Sequence, residues 1–152
     1  MKKYSAKYKI FLLILFFIIL VELATIYNEY KKPPGMYGAN HDQTLGNKQD
    51  LSRFSISPGQ KVSGITNVIG SLTSDYFSDK IAVMNFMDSN MIMLKHGTVA
   101  ATTNPLSSPV SFAGVVDFTP FPKGLTYIEF KNNNSTGDTS NDKYILIPVV
   151  VK

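Results

Sequence analysis

Hydrophobic and polar positions divide this chain into three tracts. Residues Ile10 to Val21 form an unbroken apolar run, interrupted by Glu22 and readable through to Ile26 if that carboxylate is tolerated. Lys31 to Asp50 (KKPPGMYGANHDQTLGNKQD) shows no apolar period and is punctuated by Pro33-Pro34-Gly35, Gly38 and Gly46, which marks an extended tether. From Leu51 onward, short apolar runs alternate with turn residues.

Those runs predict strands. Phe54 to Ser57 is short and ends at Pro58-Gly59; Ile65 to Leu72 follows. Lys80 to Asp88 alternates, with Ala82, Met84 and Phe86 on one face and Ile81 and Val83 on the other. Ser89-Asn90 is a tight-turn candidate, and Met91 to Ala101 returns as the partner strand with Gly97 as a bulge or bend. Asn104-Pro105 and Ser108-Pro109 mark an irregular loop. Ser111 to Thr119, Gly124 to Lys131 and Lys143 to Val151 complete the series, with Ile128 and Phe130 opposed to Tyr127 and Glu129. Pro148 places the last strand at an edge or a bulge, because proline cannot donate to a ladder. With no amphipathic helix in this tract, the expected fold is all-β: an immunoglobulin-like antiparallel sandwich of about seven strands, preceded by an N-terminal transmembrane or signal helix.

The four lysines before Ile10 (Lys2, Lys3, Lys7, Lys9) turn the apolar run into an export signal. Positive charge on that side predicts a cytoplasmic N-terminus. Cleavage would require small residues, and Glu22-Leu23-Ala24 offers a large charged one. The expectation is therefore an uncleaved single-pass anchor over residues 10–26, after a basic segment 1–9, with a linker over 27–50 and an extracytoplasmic domain over 51–152. Release after signal cleavage is the alternative.

Formal net charge is +4, and these four lysines account for it. The rest of the chain is balanced, so nucleic acid is excluded as a partner. With no cysteine, disulfides, thiol catalysis, Cys-ligated metals and a lipidated-cysteine anchor are all excluded.

Candidate chemistry is sparse. His41 and His96 show no spacing toward a metal site, and no G-x-S-x-G accompanies the serines. Asp75, Asp79, Asp88, Asp117 and Glu129 are scattered. Asp138, Asn141 and Asp142 gather oxygen ligands without a calcium-loop order, and the glycosylation acceptor patterns at Asn133 and Asn134 are read as coincidence. No cofactor and no enzymatic activity are expected. Two features offer partner surfaces: Tyr76-Phe77 in a Ser/Asp-rich connection, and Phe121 between Pro120 and Pro122. Capping of the sandwich end is the commoner reading of the first, and core plugging the favoured reading of the second. The last strand, beginning near Tyr144, would offer a docking edge. Met84, Met87, Met91 and Met93 crowd one hairpin, as core filling or as a contact face.

The run Ile56-Ser57-Pro58-Gly59-Gln60-Lys61-Val62, followed by Val68-x-Gly70, is similar to the opening of the Gmad2 domain, a bacterial immunoglobulin-like family first described beside spore-germination proteins. Tyr76-Phe77, Asp88-Ser89-Asn90, Phe112, Phe118-Thr119, Asn132 to Ser135 and Ile147-Pro148-Val149 fit its later positions in order, so the resemblance spans about Phe54 to Val151. The tryptophan that this family often carries is absent. The resemblance implies an immunoglobulin-like fold in the cell envelope and supplies no activity. The expected function is a membrane-anchored, non-catalytic interaction module that binds a protein partner, with Tyr76, Phe77, Phe121 and Tyr144 as contact residues. A secreted cell-wall or polysaccharide-binding domain is the alternative.

Overall fold

The computed structural model describes residues 15–23, 42–132 and 142–152. The chain divides into two compact units, Met1–Met36 and Tyr37–Lys152. Of the first unit, residues 15–23 are helical with exposed apolar side chains. Among the described residues no helix is long and apolar enough to cross a membrane. The expected anchor, residues 10–26, lies only partly within them, and the lysines before it and residues 24–41 lie outside.

The described residues of the second unit form eleven strands: β1 (Leu45–Gly46), β2 (Leu51–Phe54), β3 (Gln60–Val62), β4 (Ile65–Leu72), β5 (Phe77–Ser78), β6 (Ile81–Asp88), β7 (Met93–Lys95), β8 (Thr98–Ala101), β9 (Val110–Asp117), β10 (Gly124–Lys131) and β11 (Tyr144–Val151). Lys48–Asp50 and Ser74–Tyr76 form single 3-10 turns. The excess over the expected seven comes from short pieces. Leu45–Gly46 and Lys48–Asp50 fall within the predicted tether, and the return strand after Asn90 is split into β7 and β8.

These strands form one hydrogen-bonded sheet in the order β1-β11-β10-β6-β8-β9-β4-β2, with β3 on β11 and β5 and β7 on β6. Every pairing is antiparallel except β3 with β11. The sheet curls over itself. Phe130 on β10 meets Phe54 on β2 edge-on at 5.5 Å and Phe112 on β9 at 5.3 Å, although β8 and β6 lie between them in the sheet order. β8 is the corner strand, because it pairs with both β6 and β9. The enclosed side chains alternate along each strand: Val68 and Leu72, then Met84 and Phe86, then Ile128 and Phe130, then Ile145 and Ile147, all buried. Burying such side chains is the main favourable term for a chain without disulfides.

Gly97 explains the split hairpin. A Cβ there would stand 2.8 Å from the Met84 carbonyl oxygen, while the Gly97 carbonyl accepts the Met84 N–H at 2.9 Å. Only a bare backbone fits that approach.

The reading of Pro148 is corrected. β11 is not an edge: β10 covers one side, and β1 and β3 divide the other. Pro148 falls at the break between those two partners, where a missing N–H costs nothing, and its carbonyl accepts the Gly59 N–H at 2.8 Å. The docking edge expected on this strand is therefore occupied by the chain itself.

Candidate functional site

Thr73 leaves β4 in extended conformation, and Ser74–Tyr76 makes one 3-10 turn. The turn drops Tyr76 inward, fully buried, with its hydroxyl 3.4 Å from Asp50 Oδ2. Phe77 then enters β5 opposite Ala82, half-buried. Asp79 and Lys80 close the hairpin to β6, Asp79 with φ of 55°, a left-handed conformation that aspartate tolerates better than most residues. The facing wall is the 102–109 loop. Asn104 Oδ1 accepts the Leu106 N–H at 3.0 Å, and Thr103 Oγ1 accepts the Ser111 N–H at 2.9 Å. This holds Pro105 and Leu106 outward, Leu106 being 89% exposed.

Between these walls lies an open cup of about 500 Å³, lined by Ser74, Asp75, Phe77, Asp79, Lys80, Pro105 and Leu106. That volume is within the range of small-ligand clefts. One wall is apolar and the other is polar with both signs of charge. Lys143 Nζ, at the foot of β11, reaches Asp75 Oδ2 at 2.6 Å and Asp50 Oδ2 at 3.8 Å, and the Thr73 hydroxyl donates to Asp75 Oδ1. Burial works to raise the Asp75 carboxyl, but the Lys143 and Thr73 contacts outweigh it and hold the group below its ordinary value. The same Asp75 contact holds the Lys143 ammonium above its own. Burial, then the charges of Asp50 and Asp75, push the Tyr76 phenol upward, so it stays a neutral donor. Asp79 and Lys80 make no ion pair among the described residues and face the cup unspent.

The expected contact residues separate. Phe77 lines the cup. Tyr76 does not: it is a core residue. Phe121 is buried as well, 5.1 Å from the Phe86 ring and 5.9 Å edge-on from Phe118, and so plugs the core. Tyr144 is half-buried at the start of β11 with its ring over Gly46, where φ is 77° and a Cβ would meet Tyr144 Cδ2 at 2.9 Å. Its neighbour Lys143, rather than Tyr144, serves the site. The methionines make no common face, since Met84 is fully buried and Met93 is exposed.

Sequence reasoning passed over a second polar group. Asn85 and Glu129 are cross-strand neighbours on β6 and β10, both buried, and Asn85 Nδ2 donates to Glu129 Oε2 at 2.9 Å. Asn85 Oδ1 lies 3.1 Å from His96 Nδ1. The Asn85 amide nitrogen donates to Glu129, its oxygen can only accept, and His96 therefore carries a proton on Nδ1. Met87 with Tyr127, and Leu146, are buried on this same outer face, so β6, β10 and β11 hide both faces.

Among the described residues no three His, Asp or Glu side chains converge as a metal site requires. His41, Asn133, Asn134, Asp138 and Asn141 lie outside them, and Asp142 pairs with Lys131 Nζ at 3.2 Å. Ser74 lines the cup, and no histidine is among the described lining residues. In comparisons with known proteins, no family model, curated protein or solved structure matches the chain.

Proposed function

We propose that this protein is a membrane-tethered, extracytoplasmic, immunoglobulin-like module of the Gmad2 kind, non-catalytic, that binds a protein partner in the cup at Phe77. The strand plan supports the immunoglobulin-like reading. The chain pairs first with β4 through β2, then crosses at Ser57-Pro58-Gly59 to pair in parallel with β11 through β3. Around it, β2-β4-β9-β8 and β6-β10-β11 correspond to the two sheets of such a sandwich, joined at β8. The basic segment and the apolar run from Ile10 support export and tethering.

The cup carries the functional reading. It sets an aromatic ring, an exposed leucine and unpaired charges of both signs on short connections above a rigid sheet, and among the described residues no hydrogen bond joins the Ser74 hydroxyl to a base. Such a surface fits a protein side chain or loop. Phe77 beside Ser74, Asp75 and Asp79 also suits a sugar ring, which favours a cell-wall glycan as the second reading.

The test presents an envelope extract and purified peptidoglycan separately to immobilised full-length protein and to its Phe77→Ala variant. Retention of an envelope protein by the parent and not by the variant is expected. Retention of peptidoglycan with the same dependence selects the second reading. Equal retention by both proteins removes the cup from function.

A further inference from the structure

A bulge in β2 gives the sheet a polar row that the cup does not use. Leu51 lies opposite Leu72, yet Arg53 lies opposite Ser71, so Ser52 is the extra residue between them. Leu51 packs on the core, and regular alternation would turn Arg53, two positions on, to that same buried side. The bulge re-aims it outward. Ser71 lies in turn opposite Ser111, so Arg53, Ser71 and Ser111 form one row across β2, β4 and β9. Ile69 and Ala113, opposite each other, stand two positions along on the same face. These side chains and Thr102 line a hollow of about 230 Å³. That is below the usual size of a drug-sized ligand cleft, so the hollow suits a group of a few heavy atoms.

Its chemistry is one-sided. Arg53 is exposed and makes no ion pair among the described residues, and no described carboxylate lines the hollow. Ser71 Oγ and Ser111 Oγ are 3.3 Å apart. One hydroxyl hydrogen serves that bond, and the other remains free to donate. A guanidinium accepts nothing, so the group it lacks is an anionic acceptor. Its planar fork matches the two oxygens of a carboxylate. One positive charge balances a monoanion and leaves a phosphate dianion half-compensated. Ile69 and Ala113 beside the row offer an apolar floor for a short stem.

We propose that this hollow binds a small aliphatic monocarboxylate. The Arg53 guanidinium grips both carboxylate oxygens, a serine hydroxyl of the Ser71–Ser111 pair donates to one of them, and the stem lies on Ile69 and Ala113. The hollow shares no lining residue with the cup, and the proposal is independent of what the cup binds.

Propionate is the probe, titrated at low salt into isotopically labelled full-length protein. The Arg53 side-chain N–H and the Ser71 and Ser111 backbone N–H resonances are expected to shift together and to saturate in the millimolar range. Propionamide has the same stem without the charge and is expected to leave them unmoved. Phosphate is expected to need about tenfold more than propionate. Arg53→Gln is expected to weaken propionate about tenfold or more, read at Ser71 and Ser111. Ser71→Ala combined with Ser111→Ala is expected to weaken it severalfold. Arg53 is exposed, so its replacement spares the fold, and resonances away from the hollow check this. Equal shifts with propionamide, undiminished propionate binding in folded Arg53→Gln, or phosphate saturating the hollow before propionate overturns the proposal.

Discussion

Lys143 Nζ stands 2.6 Å from Asp75 Oδ2, joining the foot of the last strand to the turn that shapes the cup, across 68 positions of sequence. Asp50, before β2, completes the junction. Three segments distant in sequence are thus held at one end of the sheet, and the polar wall of the cup stands on them.

This junction makes stability depend on pH at both extremes. The Asp75 carboxyl is depressed in the folded state. Its contribution is therefore complete above the unfolded aspartate value, about 3.9, and is lost as pH falls through the lower folded value. The Lys143 ammonium is raised. Its contribution is complete below about 10.4 and is lost as pH rises through the folded value. Both side chains are over 40% exposed, so after solvent screening the pair contributes no more than about 1 kcal/mol. Urea denaturation from neutral pH down into the acid range is expected to show a shallower fall in Asp75→Asn than in the parent.

The buried Asn85–Glu129 bond predicts a non-additive pair. Asn85→Leu leaves the Glu129 carboxylate without its partner and is expected to cost about 1–3 kcal/mol or more. Replacing both residues by leucine is expected to recover much of that loss, because no orphaned group remains. A double-mutant cycle by chemical denaturation measures the coupling.

His96 is expected to carry a proton on Nδ1, facing Asn85 Oδ1. Nitrogen-15 chemical shifts of the ring report this directly. In Asn85→Leu the preference is expected to disappear, because the acceptor that fixes it is gone.

Phe130 meets both Phe54 and Phe112 across the fold of the sheet. Phe130→Ala is expected to cost about 3–5 kcal/mol. Phe77→Ala, at a half-buried position, is expected to cost less and to remove binding instead. Comparing thermal melts with ligand retention separates the two roles.

The long strands were legible because their side chains carry the period. Ile65–Leu72 and Gly124–Lys131 stand where the pattern placed them. Leu45–Gly46, Gln60–Val62 and Phe77–Ser78 were not, since two or three residues show no alternation and are held by backbone pairing to distant strands. Pro148 misled for a related reason: proline forbids one hydrogen bond, and only the tertiary fold shows that no partner stands there to need it. Of the site, Phe77 was visible as an aromatic among Ser and Asp. Pro105, Leu106 and Lys143 reach it through long-range folding, which local sequence does not encode.

In the proposed function, an exported immunoglobulin-like module binds a protein partner through the Phe77 cup. A photo-reactive residue placed at Leu106 in the full-length protein, in living cells, tests it most directly. The account predicts covalent capture of one envelope component at Leu106, none at Lys123, and loss of capture when Phe77 becomes alanine. Equal capture at both positions, or capture indifferent to Phe77, would contradict it.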